Sequence, residues 1–312
     1  MIPLTIYAGP DLGRYGFGAA HPFGTDRLDA FWHEAVRRGL DRRATVATPV
    51  AATDAQLLGF HEQAYVERVR RQCAAGVGYL DYGDTPAVRG LFQAAACVVG
   101  SGLAALEQML AGATVRAFVP IAGLHHARRD RAAGFCVFND VGVLIEDLKR
   151  RGIERIAYVD IDAHHGDGVY YAFEGDSGVY FADIHEDGRF LYPGTGAREE
   201  QGRDGGAGRK LNIPLAPGAD DTDFARVWPE VEALVREGRP QIVLLQAGAD
   251  SIAGDPLTHL RLTPRSHRHA ALRLRAIADE YADGRMLVLG GGGYNRDNIA
   301  ATWSDVAEAL ID

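Results

Sequence analysis

The stretch VDIDAHHGDG, residues 159 to 168, places three carboxylates and two histidines within eight positions, where an apolar run gives way to glycine. In an extended strand alternate side chains share a face, so Asp160, Asp162 and His164 project to one side at the end of RIAYVDID. A polar turn after a strand would give the same composition but not the one-sided spacing. Asp250, in QAGADSIAGD, closes another apolar run; read alone it suits a helix N-cap equally well. Taken with Asp162 and His164 it makes two carboxylates and one imidazole, a set that suits zinc or ferrous iron with one position open for water. An open-site metal lowers the pKa of bound water from roughly 15.7 toward 7, so a proton acceptor should stand beside it. His125 and His126 end a further apolar run, and Asp160 and Asp167 are left over from the metal set. A carboxylate on one ring nitrogen fixes the tautomer and raises the basicity of the other, so two histidine–carboxylate dyads can be built. A lone histidine is more often a satisfied core residue; an adjacent pair among polar residues at the same edge points to function.

Such residues need elements that bring them together. Short apolar, β-branched runs occur at LTIYA, RAFVPIAG, RIAYVDID, GVYFADIH, KLNIPL, QIVLLQAG and MLVLGGGG, giving seven candidate strands. Helix-period segments lie between many of them, among them residues 86–111, 139–151, 221–237 and 265–281. Strand then helix, repeated, predicts a single three-layer α/β/α domain over residues 1–312 with a mostly parallel central sheet. Ligands sit beyond the carboxyl ends of strands in such sheets, and that is where LHHA, DIDAHHGD, DIHED, the AD of GADS and the tyrosine of GGGGY fall. Four glycines before Tyr294 let the backbone turn sharply and approach a ligand. GRDGGAG, residues 202–208, lacks the Lys-Ser/Thr of a phosphate loop and is expected to be a flexible surface loop.

A net charge of −9 argues against a nucleic-acid partner, and the arginines of RRDR are expected to form a solvated loop face. Three widely spaced cysteines, Cys73, Cys97 and Cys136, offer no disulfide framework and fit a reducing cytoplasm. MIPLTIYAGP has no basic segment followed by an apolar one, so no secretory signal is expected. The uncharged run from Gly90 to Leu106 is 17 residues long, short of the ~20 of a comfortable span, and is expected to be a buried helix and not a membrane segment.

The blocks GLHHARRDRAAGFCVFND, VDIDAHHGDG, PGTG, QAGADSIAGDPL and LGGGGY resemble, in order and spacing over roughly residues 16–300, the zinc-dependent histone deacetylase superfamily, above all its bacterial acetoin-utilisation and deacetylase-like branch. The resemblance implies the arginase/deacetylase fold and removal of acyl groups from the side-chain amine of acyl-lysine. It implies Asp162, His164 and Asp250 as zinc ligands, and Tyr294 as the donor to the polarised carbonyl. His125 with Asp160 and His126 with Asp167 become the two dyads, His126 being general base and then acid. Phe135 and Tyr192 would wall the acyl-lysine tunnel, the Gly134 carbonyl would accept from the substrate amide, Asp84 would orient a peptide backbone, and Arg27 would line the acetate exit. A structural potassium ion is implied at Asp160, Asp162, His164, Asp183 and the Ile184 carbonyl.

The chain departs from the pattern in places. Asp183 stands where many relatives have serine, Tyr192 where phenylalanine is usual, and Ile121-Ala122-Gly123 where Pro-Gly-Gly is common. Leu257 stands where polyamine-selective members can carry an acidic gatekeeper, which favours acyl-lysine in a protein or peptide over a small acylated amine such as an acetylpolyamine. An arginase-like binuclear manganese site lacks its second set of carboxylates, and a binding protein without catalysis would not need every residue of the site. No nucleic-acid or membrane partner is expected.

Overall fold

Strands β1 (Leu4–Tyr7), β2 (Thr45–Ala47), β3 (Arg116–Val119), β4 (Ile156–Asp160), β5 (Val179–Glu186), β6 (Lys210–Leu215), β7 (Ile242–Gln246) and β8 (Met286–Leu289) form one sheet in the order β2-β1-β3-β8-β7-β4-β5-β6. Every pairing is parallel, so the sheet is wholly and not just mostly parallel. The computed structural model describes residues 4–18 and 20–311. Residues 1–3, on which part of the N-terminal reading falls, and residue 312, the end of the expected domain span, lie outside them.

Each of the seven apolar runs contains a strand, and β2 is an eighth that the runs do not include. It is three residues long with two of them exposed, too short to show a period. The four helical segments are realised as Leu91–Leu110, Asp140–Arg150, Asp221–Gly238 and Pro264–Tyr281. Their starts follow local chemistry: the Asn139 side chain accepts from the Gly142 amide, Asp220 and Asp223 form a capping box, and Thr263 caps a helix that opens on proline.

Leu91–Leu110 is long and apolar enough to cross a membrane by length and composition, but 78% of that window is buried within the protein. It packs on β3 and on Asp140–Arg150. A Cβ at Gly100 would lie 2.2 Å from the Val50 carbonyl, so the glycine permits the close approach of residues 50–52. GRDGGAG lies at the surface, as expected, with Arg203, Asp204, Gly205, Ala207 and Gly208 exposed, but it is anchored at one point. Gly206 is buried, with room for no Cβ against the Glu174 carbonyl, and the Arg203 amide donates to that carbonyl at 3.0 Å.

Helices Arg27–Arg37, Pro264–Tyr281 and Arg296–Ile311 pack together against one side of the site. Phe31, Phe118 and Trp303 meet edge to face at centroid distances of 5.4 to 6.2 Å. Side chains of this size contribute about 1.5–3 kcal/mol each when fully buried, which makes the platform rigid where the site needs it. The strand order puts β3, β8, β7, β4 and β5 side by side. His125, Tyr294, Asp250 and Asp162 follow the carboxyl ends of β3, β8, β7 and β4, and Asp183 lies in β5 in register with Asp160, so residues up to about 170 positions apart in the chain come to one edge of the sheet.

Candidate active site

Asp162, His164 and Asp250 converge just beyond β4 and β7, with one ligand atom of each inside 4.8 Å of the others. His164 Nδ1 lies 3.1 Å from Asp162 Oδ1 and 3.1 Å from Asp250 Oδ2. Tetrahedral ligands at zinc distances of roughly 2.0–2.1 Å sit about 3.3 Å from one another, so the spacing fits the metal. The outward oxygens are taken by the protein: Asp162 Oδ2 accepts from Gln246 Nε2 at 2.7 Å and the Gly292 amide at 2.8 Å, and Asp250 Oδ1 accepts from the Ala163 amide at 2.9 Å. These bonds turn Asp162 Oδ1 and Asp250 Oδ2 inward, as partners of metal ligands do. Glycine is required around them, since a Cβ at Gly248 would lie 2.1 Å from Asp162 Oδ2 and one at Gly292 would lie 2.0 Å from Asp250 Oδ2. Asp250 sits inside the short turn Ala249–Ser251 and caps no helix.

The donor set also fits a cation on charge. Asp160, Asp162, Asp183 and Asp250 are each 0–1% exposed, and buried carboxylates this close are costly without positive charge among them. With protons as the compensating charge, burial works against His164 but Asp162 and Asp250 push it up to about 10. A ligating imidazole is neutral, so a divalent cation would take the place of that proton.

Both dyads form. His125 Nδ1 stands 2.8 Å from Asp160 Oδ2, and His126 Nδ1 stands 2.8 Å from Asp167 Oδ1. The two Nε2 atoms are 3.1 Å apart, so the space between them takes a single proton. The surroundings divide the pair. Burial opposes charge on His125, yet Asp160, Asp162 and Asp183 raise it to about 10, whereas burial and the neighbouring His125 lower His126 to about 4 against the pull of Asp167. The surroundings thus favour charge on one ring and the neutral form of the other, the division that separates an electrostatic partner from a base.

Rings close over these groups. Tyr192 lies 5.1 Å from His126 and 6.4 Å from His164, and Phe135 lies 5.9 Å from Tyr294. Phe135 has a φ of 66°, a left-handed conformation that costs a side-chain-bearing residue on the order of 1–3 kcal/mol. Hydrogen bonds on both sides hold it: Tyr15 Oη donates to its carbonyl at 2.7 Å, and its amide donates to Thr85 Oγ1 at 3.1 Å. Gly134 is also left-handed; its carbonyl accepts from Cys136 Sγ at 3.4 Å, and a Cβ there would lie 2.5 Å from the His126 ring. Asp84 lies at a cavity of ≈ 450 Å³ beside Tyr192, where Arg128, Arg131 and the exposed Tyr82 also face. Leu257 is half-buried, and its amide donates to Asp255 Oδ1 at 3.0 Å.

Arg27 is buried beneath the tetraglycine turn, donating from Nε to the Gly293 carbonyl at 2.9 Å and from Nη2 to the Gly291 carbonyl at 2.6 Å. Its Nη1 has no partner among the described residues. Asp183 pairs in register with Asp160 across β5 and β4, but both its oxygens have protein partners, His185 Nδ1 at 2.7 Å and the Gly166 amide at 2.8 Å. Ile184 follows on the opposite face of β5 and is buried.

Several residues at the site escape sequence reasoning. Gln246 ends β7 as an uncharged residue, yet it holds Asp162. Asp140 looks like a helix-start acid, but its oxygens take the amides of Gly123 at 2.8 Å and Leu124 at 2.7 Å and so fix the turn into the histidine pair. Tyr158 could have been found: it shares the strand face of Asp160 and donates its hydroxyl to that carboxylate. The solvated-face expectation for RRDR fails at two positions. Arg128 donates to Asp167 Oδ2 at 2.8 Å, and Arg129 lies over the Phe60 ring and pairs with Glu146 at 2.6 Å.

The histone deacetylase domain model matches residues 21–310. The chain is 34% identical to the acetoin utilization protein AcuC of Staphylococcus aureus (strain MRSA252), over 99% of this chain and 82% of that protein. It is also 34% identical to AcuC of Bacillus subtilis (strain 168), over 93% and 77%. The crystal structure of the HDA15 HD domain superposes with a TM-score of 0.91 at 27% identity, covering 99% of this chain and 89% of the other.

Proposed function

The chain belongs to the histone deacetylase family, and from that premise we propose that residues 1–312 work as one catalytic domain, a cytoplasmic zinc-dependent amidohydrolase that removes acetyl or other acyl groups from acyl-lysine. The observation that carries the reading is the convergence of the Asp162, His164 and Asp250 set with two histidine–aspartate dyads of opposite charge preference. A divalent cation held by Asp162, His164 and Asp250, zinc or ferrous iron, would polarise the amide carbonyl and lower the pKa of the attacking water. A potassium ion at Asp160, Asp162, His164, Asp183 and the Ile184 carbonyl fits on charge, although Asp183 has protein partners for both oxygens; it would be structural.

The protein's own groups divide the remaining work. Phe135 and Tyr192 flank the lysine stem and exclude water, and the Gly134 carbonyl accepts from the substrate amide. His126 takes the water proton through its neutral Nε2 while Asp167 steadies Nδ1, and Tyr294 donates to the oxygen as negative charge gathers on it. The C–N bond then breaks, His126 returns the proton to the departing amine, and acetate is left facing the unpartnered Nη1 of Arg27. His125, which Asp160, Asp162 and Asp183 raise against burial, would help to offset the buried carboxylates.

Peptide over polyamine is supported by the apolar Leu257 and by the cavity and exposed Tyr82 beside the mouth, which leave room for residues flanking the lysine. Specificity constants on an acetyl-lysine peptide and on acetylspermidine test this, with chelated and metal-reloaded protein compared. We expect metal-dependent turnover that favours the peptide. Preference for acetylspermidine would move the substrate to a small acylated amine, and no turnover of either would favour an acyl-amine binding protein.

Asp84 gives the reaction a pH dependence at the binding step. Burial and the charge of Asp81 raise Asp84 to about 7, while Asp81, accepting from the amides of Gly83, Asp84 and Thr85, is held at about 2. Ionised Asp84 offers both oxygens as charged acceptors to substrate backbone N–H groups, whereas the protonated acid keeps one, weaker acceptor. The peptide KM is therefore expected to fall as pH rises through about 7, and Asp81→Asn, which removes the neighbouring charge, should shift that step to lower pH. A KM step that Asp81→Asn leaves in place would remove Asp84 from the binding role.

A further inference from the structure

Tyr294 follows Gly290–Gly293, a segment with almost no conformational preference of its own. Gly291 and Gly293 have φ values of 74° and 126°. What places the tyrosine must therefore come from outside. Gly291 donates to the Ala122 carbonyl at 2.6 Å, Gly292 donates to Asp162, and Arg27 holds the carbonyls of Gly291 and Gly293. Those bonds stop short of Tyr294. Its own amide donates to Asp255 Oδ2 at 2.8 Å, and the other oxygen of that carboxylate, Oδ1, accepts from the Leu257 amide at 3.0 Å.

Asp255 is 8% exposed and is the middle residue of the Gly-Asp-Pro stretch that leads to Leu257. The segment around it is strapped to the start of Arg296–Ile311. Asn295 Nδ2 donates to the Gly254 carbonyl at 3.2 Å, and Asn298 Nδ2 donates to the carbonyls of Ile252 and Ala253 at 3.3 and 3.2 Å. Arg296 completes the frame on the other side, donating to the Tyr294 carbonyl at 3.0 Å and pairing with Asp26 at 2.6 Å. The loop that carries Leu257 and the turn that carries Tyr294 are thus one body, and a single carboxylate is its central bracket.

We propose that Asp255 is a positioning residue that sets the Tyr294 phenol at the reacting carbonyl, anchored for that task by the Leu257 amide. The inference rests on the role given to Tyr294 above. Both bonds are to N–H donors, so the bracket needs two acceptor oxygens. An amide at this position has one, and Asp255→Asn must release either the tyrosine or the loop without changing side-chain volume. Displacements of about 1 Å at a reacting group cost on the order of 100-fold in rate.

The test is a double-mutant cycle with Asp255→Asn and Tyr294→Phe, read as kcat and KM on an acetyl-lysine peptide with the metal-loaded protein, alongside thermal unfolding. Asp255→Asn is expected to lower kcat by roughly 10- to 100-fold with KM changed by less than about threefold. In the Tyr294→Phe background the same substitution should cost less than about twofold, because a residue acting through the phenol has nothing left to position. Asp255→Glu keeps both oxygens and the charge, and should lose less kcat than Asp255→Asn. Should the asparagine protein fail to fold, the cycle is run with glutamate, whose smaller loss must likewise vanish in the phenylalanine background.

Losses that multiply in the double variant would overturn the positioning role while leaving the Tyr294 reading intact, as would native kcat in Asp255→Asn. Near-native turnover of Tyr294→Phe itself would sink both.

Discussion

Tyr294→Phe is expected to fold as the parent protein does, bind metal and substrate normally, and lose on the order of 100-fold or more in kcat, the usual loss for a missing oxyanion donor. The substitution removes one hydroxyl and leaves the ring to pack against Phe23 and Phe135, at 6.3 and 5.9 Å, so the tunnel wall survives. Burial and the carboxylates of Asp250 and Asp162 hold the phenol well above its ordinary pKa, which keeps it a proton donor across the working range. A donor fixed in a low-dielectric site acts chiefly on charge that develops in the transition state, so kcat should fall and KM should not. Steady-state kinetics with a thermal unfolding control measure this. Near-native kcat would require a different oxyanion donor.

His126→Ala should be comparably damaging, by roughly 100- to 10,000-fold in kcat, the range typical of general acid–base groups. His126 is the imidazole that burial and His125 keep neutral, with Nδ1 fixed by Asp167 and Nε2 turned toward the His125 ring. Of the two it is the one that its surroundings push toward the neutral form. His125→Ala should also impair the enzyme, but by removing charge compensation around Asp160, so its loss should be accompanied by lower thermal stability. The pair distinguishes the roles: a His126→Ala protein that keeps near-native turnover while His125→Ala loses it would reverse the assignment of base and electrostatic partner.

Arg128 shows why such assignments are hard to make from spacing. In RRDR it is indistinguishable from its neighbours, yet it alone reaches Asp167 and shares that carboxylate with His126. The partner lies 39 positions away and is brought near only because the residues after β3 and β4 meet beyond the sheet's carboxyl edge. Gln246 is a similar case, an uncharged strand-end residue that steers Asp162 from a neighbouring strand. β2 failed for the opposite reason, since its three residues are too few and too exposed to show a period.

By itself the sequence determined the features that one element can hold. Seven of the eight strands, the four named helical segments and the Asp160, Asp162, His164 spacing all follow from periodicities of two and 3.6 residues, which local chain geometry imposes. The tertiary structure decided what depends on strand order and on burial. Only the β8-β7-β4-β5 adjacency joins Asp250 and Tyr294 to Asp162, brings the Gly166 amide to Asp183, and lets Asp255 reach the Tyr294 amide. The surrounding charges then push the two histidines of an identical adjacent pair in opposite directions, because desolvation acts on both alike while the carboxylates near them differ in number.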